Sequence, residues 1–519
     1  MKILYCIVIF INISYALSFS QSPTDITTTV LMDFPHIDTT QNAWQWSGTE
    51  WRSAVAKYNG KVYTSWVTDD LAIAIAQYTD PTNIVIDTIS PPGSVVDDAH
   101  NHPSIGIDKN GYIHVAGNMH SVAWEYWISD NAEDISSFTF HGGPMNANMI
   151  GSFGVSYPNF RQDQNGELYL VYRASASVQY TYNGGKGFVG AFLAHYEIDT
   201  GDSLGVWNHL GDDPYTNDGY NAEPIVWSLN GRYSNATGTP IYQTYRNGGP
   251  YFDINNTMHY GMTIIGSDGY GAQATHIVYL KKMENESSFT KANGSIYTSL
   301  PVTQWTGDSV VSTYPVDSLK TRVSATALTN GNPIVSYQYI GVGNYMKVFN
   351  GADWDTEISL PGNQDRAPRI INDYNDNLLC MSDSNIYHSM DAGQTWASFP
   401  IDYPIDTWDQ KTYAETGVLY YASFLDGRHR VIQLNFSYPV KTNENTVDNS
   451  LIAYPNPVKD NVFISGNGYI SATLYTCLGQ TILKTTQRRI NTEHLKKGMY
   501  ILSLMDEKGN SFVQEMIVE

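Results

Sequence analysis

Alternating apolar and polar positions, interrupted by glycine-containing turns, run through most of the chain from about residue 51. Four segments show the pattern most clearly, each with two alternating runs joined by an Asn-Gly pair: AVAKYNGKVYTSWV, SIGIDKNGYIHVAGN, NFRQDQNGELYLVYR and ATALTNGNPIVSYQY. A period of two places every second side chain on one face of a strand, and Asn-Gly is favoured in type I′ hairpin turns because both central positions need positive φ. We therefore predict a series of β-hairpins, with looser copies near 374–380 and 412–421.

The hairpins recur at a regular distance. The turn positions Asn59, Asn110 and Asn165 are 51 and 55 residues apart, close to the period of about 50 residues of four-stranded propeller blades. Between about residues 51 and 436 this period predicts a seven-bladed β-propeller. An array of β-sandwiches is the alternative, and the irregular loops between the hairpins favour the propeller. The segment 389–396, SMDAGQTW, resembles the Asp-box of sialidase-like propellers, where Asp and Gly shape a hairpin turn and Trp packs between strands.

Both ends of the chain differ from this repeat. Residues 1–20 carry Lys2, an apolar run and then small residues, which predicts a secretory signal peptide. The propeller is assigned to 21–436, a polar linker to 437–450 and a small all-β, sandwich-like unit to 451–519. Cys6 falls in the signal segment, and Cys380 and Cys477 fall in different predicted domains, so a disulfide framework is not expected.

The last segment resembles the C-terminal sorting domain of the type IX secretion system. The resemblance rests on YPNP at 454–457, LGQ at 478–480 and LKKGMY at 495–500. It implies export by the type IX machinery and a secreted or cell-surface protein.

Composition and charge narrow the class of partner. Abundant Tyr (38), Gly (42) and Trp (12), with only 15% charged residues, favour a β-rich globular protein. The formal net charge of −22 disfavours nucleic acid and anionic membranes as partners, because both require a basic surface. No segment after the signal is long enough for a membrane span. An anionic substrate would need a local cluster of cationic groups.

Candidate chemistry is concentrated between residues 97 and 173. His100 and His102 precede a predicted hairpin, and His120 follows it, so the hairpin would place His100 or His102 opposite His120. Their spacing is not that of a compact zinc motif and no Cys is nearby. We therefore favour catalysis over metal binding, expect no cofactor to be required, and leave a structural divalent metal ion open.

The next hairpin supplies complementary groups. Tyr157 opens its first strand and Arg173, 16 residues later, ends its second, so both side chains lie at the same end of the hairpin. Together with the histidines they would provide an acid, a base and a group that binds an anion.

These two segments resemble the BNR-type propeller family that includes ulvan lyases of polysaccharide lyase families 24 and 25, closest to family 25. The resemblance spans about 45–430 and is strongest over 97–260, although Ala174–Ser177 replaces a Gly-rich continuation. It implies that the catalytic residues are His100, His120, Tyr157 and Arg173. The segment IYQTYRNGGPYFDINNTMHY resembles a substrate-side strand and loop of the family, which implies that Arg246 and His259 bind substrate. We also predict substrate binding by Asn101 and His102, and by Tyr245 as an aromatic surface on which a sugar could stack.

The resemblance implies a secreted lyase that cleaves ulvan, a sulfated rhamnose–uronic acid polymer, by β-elimination. Arg173 would neutralise the uronate carboxylate, His100 or His120 would act as base and Tyr157 as acid; alternatively Tyr157 would serve as both, with a histidine as neutraliser. A sialidase-like glycoside hydrolase and a non-catalytic carbohydrate-binding propeller are the alternatives. A single clear Asp-box and no convincing carboxylate pair disfavour the hydrolase.

Overall fold

The computed structural model describes residues 23, 25–35, 52–89, 95–96, 98, 100–142, 155–175, 189–199, 204–211, 225–226, 243–245, 249–265, 273–313, 318–320, 323–362, 368–382, 385–437, 451–454, 457–465, 469–476, 480–506 and 511–518. The predicted signal peptide, 1–20, and all of the predicted linker except Ser437 lie outside these residues. The chain divides into two compact units, Met1–Pro439 and Val440–Glu519.

The first unit is built almost entirely of strands. Its described strands are β1 (Asp25–Pro35), β2 (Val55–Tyr58), β3 (Lys61–Val67), β4 (Ile73–Asp80), β5 (Asn83–Ile89), β6 (Ser104–Ile107), β7 (Ile113–Ala116), β8 (His120–Val122), β9 (Tyr126–Ser129), β10 (Phe138–Gly142), β11 (Val155–Gln162), β12 (Leu168–Ser175), β13 (Val189–Glu197), β14 (Val206–His209), β15 (Gln243–Tyr245), β16 (Tyr251–Phe252), β17 (Met258–Ile265), β18 (Gln273–Ala274), β19 (His276–Lys282), β20 (Asp308–Ser312), β21 (Leu319–Lys320), β22 (Ser324–Ala327), β23 (Pro333–Tyr339), β24 (Gly343–Val348), β25 (Ile358–Ser359), β26 (Arg369–Asn372), β27 (Leu378–Met381), β28 (Asn385–Ser389), β29 (Ala397–Pro400), β30 (Thr407–Trp408), β31 (Leu419–Leu425) and β32 (Arg428–Ser437). Its described helix is α1 (Gln410–Thr416).

These strands form successive antiparallel sheets in chain order. The first sheet has the order β2-β3-β4-β5, the second β6-β7-β9-β10, and the third contains β11 to β14. A short parallel pairing of β13 with β15 joins the third sheet to the next set, β15, β17, β19 and β20, and later sheets follow in the same up-and-down manner. Consecutive four-stranded antiparallel sheets are the architecture of a β-propeller, as predicted. The number of seven blades stays a prediction.

The two ends of the first unit meet in one sheet, here called the closing sheet, with the order β1-β32-β31-β30. In it the N-terminal strand pairs with the last strand, from Asp25 opposite Ser437 to Pro35 opposite Arg428. Met32 of β1 is 1% exposed and belongs to an apolar cluster with residues of the first sheet such as Trp66. Similar clusters fill the spaces between other adjacent sheets, so the core is distributed between the sheets.

The Asn-Gly turns differ from one another. Asn59 and Gly60 have φ of 46° and 79°, as the predicted type I′ turn requires. At the turns of Asn110 and Asn165 only the following glycine has positive φ, so the type I′ prediction is wrong there. In both turns an Asp begins the turn and its Oδ1 accepts two backbone N–H groups: Asp108 from Asn110 and Tyr112, and Asp163 from Asn165 and Glu167. The aspartate fixes a different hairpin turn.

The hairpin expected near 412–421 is interrupted by a helix. Asp409 caps the N-terminus of α1 by accepting the backbone N–H of Thr412 at 2.8 Å, and Gly417 ends it with φ of 69°. These are the residue types that begin and end helices, and they outweigh the weak alternation in this segment. The looser copy near 374–380 does form a turn, between β26 and β27.

The Asp-box forms the turn that its resemblance implied. Asp391 accepts the backbone N–H and the hydroxyl of Thr395, and the hydroxyl of Ser389 accepts the N–H of Gly393. The indole N–H of Trp396 donates to the carbonyl of Gly393, and its ring packs on the neighbouring apolar cluster. The motif shapes the loop between β28 and β29.

The second unit contains two sheets. Its strands are β33 (Ile452–Tyr454), β34 (Asn461–Ser465), β35 (Tyr469–Thr476), β36 (Thr481–Thr485), β37 (Arg489–Asn491), β38 (Gly498–Asp506) and β39 (Ser511–Val518). The sheet orders are β33-β34-β37 and β36-β35-β38-β39, and one apolar cluster contains residues of both, which matches the predicted sandwich-like unit. Cys380 in the first unit is a buried free thiol, and Cys477 lies outside the described residues.

Two buried histidines repeat one arrangement. His114 accepts or donates hydrogen bonds at Tyr126 Oη (2.6 Å) and Asp108 Oδ2 (3.4 Å). His259 has partners of the same types, Tyr279 Oη at 2.6 Å and Asp253 Oδ2 at 3.1 Å, in a later sheet. Both imidazoles are 0% exposed, so they link strands inside the sheets.

Acidification is expected to destabilise the propeller through such buried histidines. Burial lowers the pKa of His114 and His259, and it lowers the pKa of His388 to about 4. Because the unfolded chain takes up these protons near pH 6.5, stability is complete above that pH and falls as the pH drops toward about 4. Thermal unfolding between pH 7 and 4 should show a shallower decline for His388→Gln than for the wild type. The matched control is the exposed His494→Gln, which should decline like the wild type.

Candidate functional site

Three neighbouring strands bring distant residues of the sequence into one row. Ser156 of β11 pairs with His120 of β8 on one side and with Arg173 of β12 on the other. His120 and Arg173 therefore lie one strand apart on either side of Ser156. Strand pairing at the start of the third sheet thus sets the positions of an imidazole and a guanidinium.

The loop before β6 adds a second imidazole. His100 and His120 stack face to face, with ring centroids 3.9 Å apart and an interplanar angle of 22°. Asp98 binds both rings: its Oδ1 accepts the backbone N–H of His100 at 2.9 Å and contacts His100 Nδ1, and its Oδ2 lies 2.7 Å from His120 Nδ1. All three side chains are about one third exposed, so the group opens to solvent.

Asp98 is held in its charged form. Partial burial by itself would raise the pKa of its carboxyl group, but hydrogen bonds from the His100 backbone and from both imidazoles outweigh this and lower the pKa to about 2. An ionised carboxylate can only accept hydrogen bonds, so both Nδ1 atoms must carry hydrogen. In the neutral rings, Nε2 then holds the lone pair that can take up a proton.

Two asparagines fix this loop against the strands. The backbone N–H of Asn118 donates to the Asn101 carbonyl at 2.9 Å, and Asn118 Oδ1 accepts the N–H of Val96 at 2.8 Å. The amide of Asn101 donates to the Val96 carbonyl at 3.0 Å. Asn118 has φ of 57°, a conformation that asparagine tolerates better than most residues. These contacts set where Asp98 and His100 lie relative to β8.

Tyr157 stands between the histidines and Arg173. Its ring centroid lies 5.7 Å from that of His100 and 6.2 Å from that of His120, and the guanidinium carbon of Arg173 is 4.5 Å from it. Arg173 also donates from Nη2 to Ser156 Oγ at 3.4 Å. Tyr157 has φ of 59° within a bulge of β11, a strained conformation for a bulky residue and one found often at functional sites.

The structure thus brings together four of the predicted site residues: His100, His120, Tyr157 and Arg173. Their catalytic roles stay a prediction. The arrangement offers basic nitrogen atoms, a phenol and a guanidinium around one partly open space. This set of groups can remove a proton, supply one and stabilise negative charge.

The residues predicted to bind substrate do not join this group of four. His259 is wholly buried and bound to Asp253 and Tyr279, so its assignment to substrate binding is wrong. Asn101 and His102 are only 3% and 4% exposed; the first braces the loop and the second packs near the Phe424 ring, 5.7 Å between centroids. Both side chains are buried, so their assignment to substrate binding stays a prediction. Tyr245 lies in β15, and Arg246 lies outside the described residues.

Sequence reasoning missed Asp98 as a member of the site. A signal was present, because an aspartate two positions before a residue often accepts its backbone N–H. The pattern Asp98-x-His100 fits that rule, but it did not reveal that the second carboxylate oxygen would reach His120, 22 residues later.

Replacing Asp98 by Asn tests its positioning role. Each carboxylate oxygen binds one imidazole, and an amide replaces one of these oxygens by an NH₂ donor, which cannot accept the Nδ1–H of that ring. We expect turnover of the substrate to fall about 10- to 100-fold, the usual effect of losing a residue that orients catalytic histidines. The fall should come with a changed pH profile and an unchanged far-UV circular dichroism spectrum. An unaltered pH profile would show that Asp98 does not orient the histidines.

The same three residues could also hold a metal ion. Asp98, His100 and His120 each offer a ligand atom, and these atoms lie within 4.8 Å of one another. In the structure, however, the two Nδ1 atoms and the carboxylate satisfy each other, and an ion would have to replace those hydrogen bonds. We expect dialysis against a chelator to leave turnover unchanged. Loss of turnover, restored by Zn²⁺, would show that the ion is needed.

Comparisons with known proteins agree with the fold. A crystal structure of the polysaccharide lyase Uly1 is similar over 80% of this chain and 99% of that chain, with 11% sequence identity and a TM-score of 0.50. A structure of an ulvan lyase of family PL25 bound to -[GlcA(1-4)Rha3S]- covers 81% and 95%, with 12% identity and a TM-score of 0.46. At 11% identity the likeness to Uly1 concerns the fold alone. Comparison with curated protein sequences found no match.

Two family models match the sequence. Residues 452–519 match the secretion system C-terminal sorting domain, so the protein is secreted or displayed at the cell surface, as expected. Among the described residues no helix has the length and apolar character needed to cross a membrane. Residues 61–359, more than half of the chain, match the model described as BNR repeat-containing family member, and the chain therefore belongs to the BNR repeat-containing family.

Proposed function

We propose that this protein is a polysaccharide lyase that cleaves ulvan by β-elimination, leaving an unsaturated uronate at the new non-reducing end. The observation that carries the proposal is the convergence of Arg173, Tyr157 and the Asp98-bound histidine pair at one partly open position. The similarity of the fold to a protein named a polysaccharide lyase supports the class of reaction. The sequence resemblance to ulvan lyases over 97–260 supports the choice of polymer.

The difficult step is removal of the proton on C5 of the uronate. This proton is weakly acidic unless the negative charge that develops toward the carboxylate is stabilised. Arg173 is suited to this task, since a guanidinium binds a carboxylate through two parallel hydrogen bonds and is always charged. A local cation is also what an acidic protein of net charge −22 needs to hold a polyanion.

The base and the acid are assigned to the groups beside Arg173. An Nε2 of the histidine pair takes the C5 proton, and the electron pair left on C5 forms the C4–C5 double bond as the C4–O bond breaks. The leaving oxygen takes the phenolic proton of Tyr157, and the phenolate is then reprotonated from the imidazolium, directly or through water. Asp98 balances the charge of the transient imidazolium and keeps its Nε2 directed outward.

A second assignment of roles uses the same residues. Tyr157 could take the C5 proton and return it to the leaving oxygen, while a histidine helps Arg173 to neutralise the carboxylate. In this version the guanidinium of Arg173, whose carbon lies 4.5 Å from the ring centroid, is beside the phenolate that forms during the reaction. Both versions need Tyr157, so Tyr157→Phe should remove nearly all turnover in either.

The product distinguishes the proposed reaction from its rivals. A conjugated unsaturated uronate absorbs ultraviolet light, whereas hydrolysis by a sialidase-like enzyme and simple carbohydrate binding produce no such chromophore. Purified protein incubated with ulvan should show new reducing ends and new ultraviolet absorbance rising together. Reducing ends without absorbance would point to a hydrolase, and the absence of both to a binding protein.

A further inference from the structure

One pocket lies at the end of the propeller opposite the candidate functional site. Tyr157 is near the start of β11 and Arg173 is near the end of β12, so both are at one end of this hairpin. The turn between the two strands contains Asn165 and lies at the other end, about 15 Å away at about 3.3 Å per residue along β11. Asn165 lines the pocket. A molecule bound there is therefore held apart from the reacting groups.

Three hairpin turns and a helix form this cavity, here called the turn pocket. The turns belong to the first three sheets and contribute Asn59, Lys109 and Asn165, and α1 forms the remaining wall. The backbone N–H of Lys57 donates to Asp409 Oδ2 at 2.6 Å and ties the first turn to the cap of α1. The volume of about 320 Å³ lies within the range of about 300–1,000 Å³ for small-molecule sites. Because Asn59, Lys109 and Asn165 are exposed, the turn pocket is open to solvent.

Three lysines line the turn pocket, although the protein has a net charge of −22. Lys109 and Lys411 each form an ion pair with a glutamate, at 2.7 Å and 2.8 Å. Lys57 differs, because no carboxylate of the described residues pairs with its ammonium group, which lies 4.8 Å from the centroid of the Tyr420 ring. Contact with an aromatic face leaves the N–H donors of an ammonium group available. Lys57 therefore gives the turn pocket a cation that can bind an acidic group.

Four amide side chains give the turn pocket hydrogen-bond acceptors. Each of them donates from its NH₂ group to a carbonyl or carboxylate oxygen of the protein: Asn59, Gln162, Gln164 and Asn165. Because these partners can only accept, the orientation of each amide is fixed with its NH₂ group toward the protein. The four amide oxygens accept no hydrogen bond from the part of the chain that the structure describes. Hydroxyl groups of a sugar are donors that match them.

We propose that the turn pocket binds one acidic sugar unit of the polysaccharide, remote from the bond that is cleaved. A sulfate or a carboxylate of this unit contacts the Lys57 ammonium, and its hydroxyl groups donate to the amide oxygens. The inference rests on the proposed function, because it takes the bound sugar to be part of the polymer that the catalytic residues cleave. It adds that a long chain is held at both ends of the propeller, which strengthens binding by raising its local concentration at the second site.

Calorimetry with an ulvan fragment of four sugars counts the binding sites. Tyr157→Phe should bind one fragment more per protein molecule than the double variant Tyr157→Phe/Lys57→Met. The same number of bound fragments in the two proteins would overturn the inference. This count does not depend on elimination, since both proteins carry Tyr157→Phe. The ultraviolet absorbance of the product formed by the wild type tests the proposed function separately.

Kinetics on long and short substrates tests the contribution of the turn pocket to turnover. Lys57→Met removes the charge and keeps most of the side-chain length. With long-chain ulvan, KM should rise about tenfold, the loss expected for one charge-assisted contact, while kcat changes less than about twofold. With fragments of four sugars, KM should equal that of the wild type, because such fragments are too short to use both sites. An equal rise of KM on both substrates would contradict binding at a remote site.

Two matched variants make the effect specific to Lys57. Lys57→Arg keeps the charge and should restore most of the affinity for long-chain ulvan. The control is Lys61→Met in the same hairpin, since Lys61 pairs with Glu133 at 3.0 Å and is not among the residues that line the turn pocket. It should leave KM unchanged. Lys57 is partly exposed, so the thermal midpoint of Lys57→Met should be close to that of the wild type. A lower midpoint with an unchanged count of bound fragments would make Lys57 a structural residue and overturn the inference.

Desulfated ulvan identifies the acidic group. If the turn pocket binds a sulfate, the wild type and Lys57→Met should have equal KM values on the desulfated polymer and different values on ulvan. If it binds a carboxylate, the difference should persist on both polymers. Equal KM values of the two proteins on both polymers would overturn the inference.

Discussion

Replacing Arg173 by Ala is expected to lower kcat/KM for ulvan about 10²- to 10³-fold, the usual effect of losing one group that stabilises developing charge. The reason lies in the chemistry: without a cation at the carboxylate, the C5 proton is too weakly acidic for an imidazole or a phenolate to remove. Arg173 also covers the Tyr157 ring at 4.5 Å, so its loss should affect the acid as well as the carboxylate. Initial rates of ultraviolet absorbance measure the effect.

Two further variants make this result specific. Arg173→Lys keeps the charge without the two-pronged geometry and should recover part of the lost activity. Ser156→Ala removes the hydroxyl that accepts from Arg173 Nη2 at 3.4 Å and should cause a smaller loss. If Arg173→Ala turned over ulvan nearly as fast as the wild type, the assignment of charge neutralisation to Arg173 would be wrong.

Replacing Met32 by Ala is expected to cost about 2–5 kcal/mol of stability, the range for large-to-small changes at buried positions. Met32 is 1% exposed and lies in the N-terminal strand of the closing sheet. Its apolar cluster includes Trp66 of the first sheet, so the side chain helps to hold the first and last sheets together. The free energy of unfolding, measured by urea denaturation, reports the loss.

A neighbouring residue of the same strand provides the control. Val30 is 42% exposed and pairs through its backbone with Ile432, so Val30→Ala removes little buried surface. It should change stability by no more than about 0.5 kcal/mol. If Met32→Ala lowered the free energy of unfolding as little as Val30→Ala does, the N-terminal strand would contribute to stability through its backbone pairing alone.

The sequence was most informative where local chemistry decides the structure. Asn59-Gly60 forms the expected turn because both residues reach positive φ at low cost. At Asn110 and Asn165 the hairpins form as expected, but a preceding aspartate supplies two hydrogen bonds and selects another turn. The predicted hairpins are confirmed because the alternation of apolar and polar residues, and not the type of turn, determines where the strands lie.

The geometry of the site was harder to predict from the sequence, because it depends on contacts across sheets. His100 and His120 flank one hairpin, and this nearness in sequence allowed their pairing to be anticipated. The role of Asp98 depends on two oxygens reaching rings 2 and 22 residues away, which only the folded loop reveals. His259 resembles a site residue in sequence, yet the repeat that contains it turns the ring inward, as it does for His114.

The most direct test of the central claim is the mass of the product formed from ulvan in water enriched in ¹⁸O. Elimination breaks the C4–O bond without adding water, so the oligosaccharides should carry a C4–C5 double bond and no solvent oxygen at the cleaved bond. Hydrolysis would add one molecule of water to each cut. Products that lack ¹⁸O, and that disappear with Tyr157→Phe, are the result predicted; incorporation of one ¹⁸O per cleavage would contradict the account.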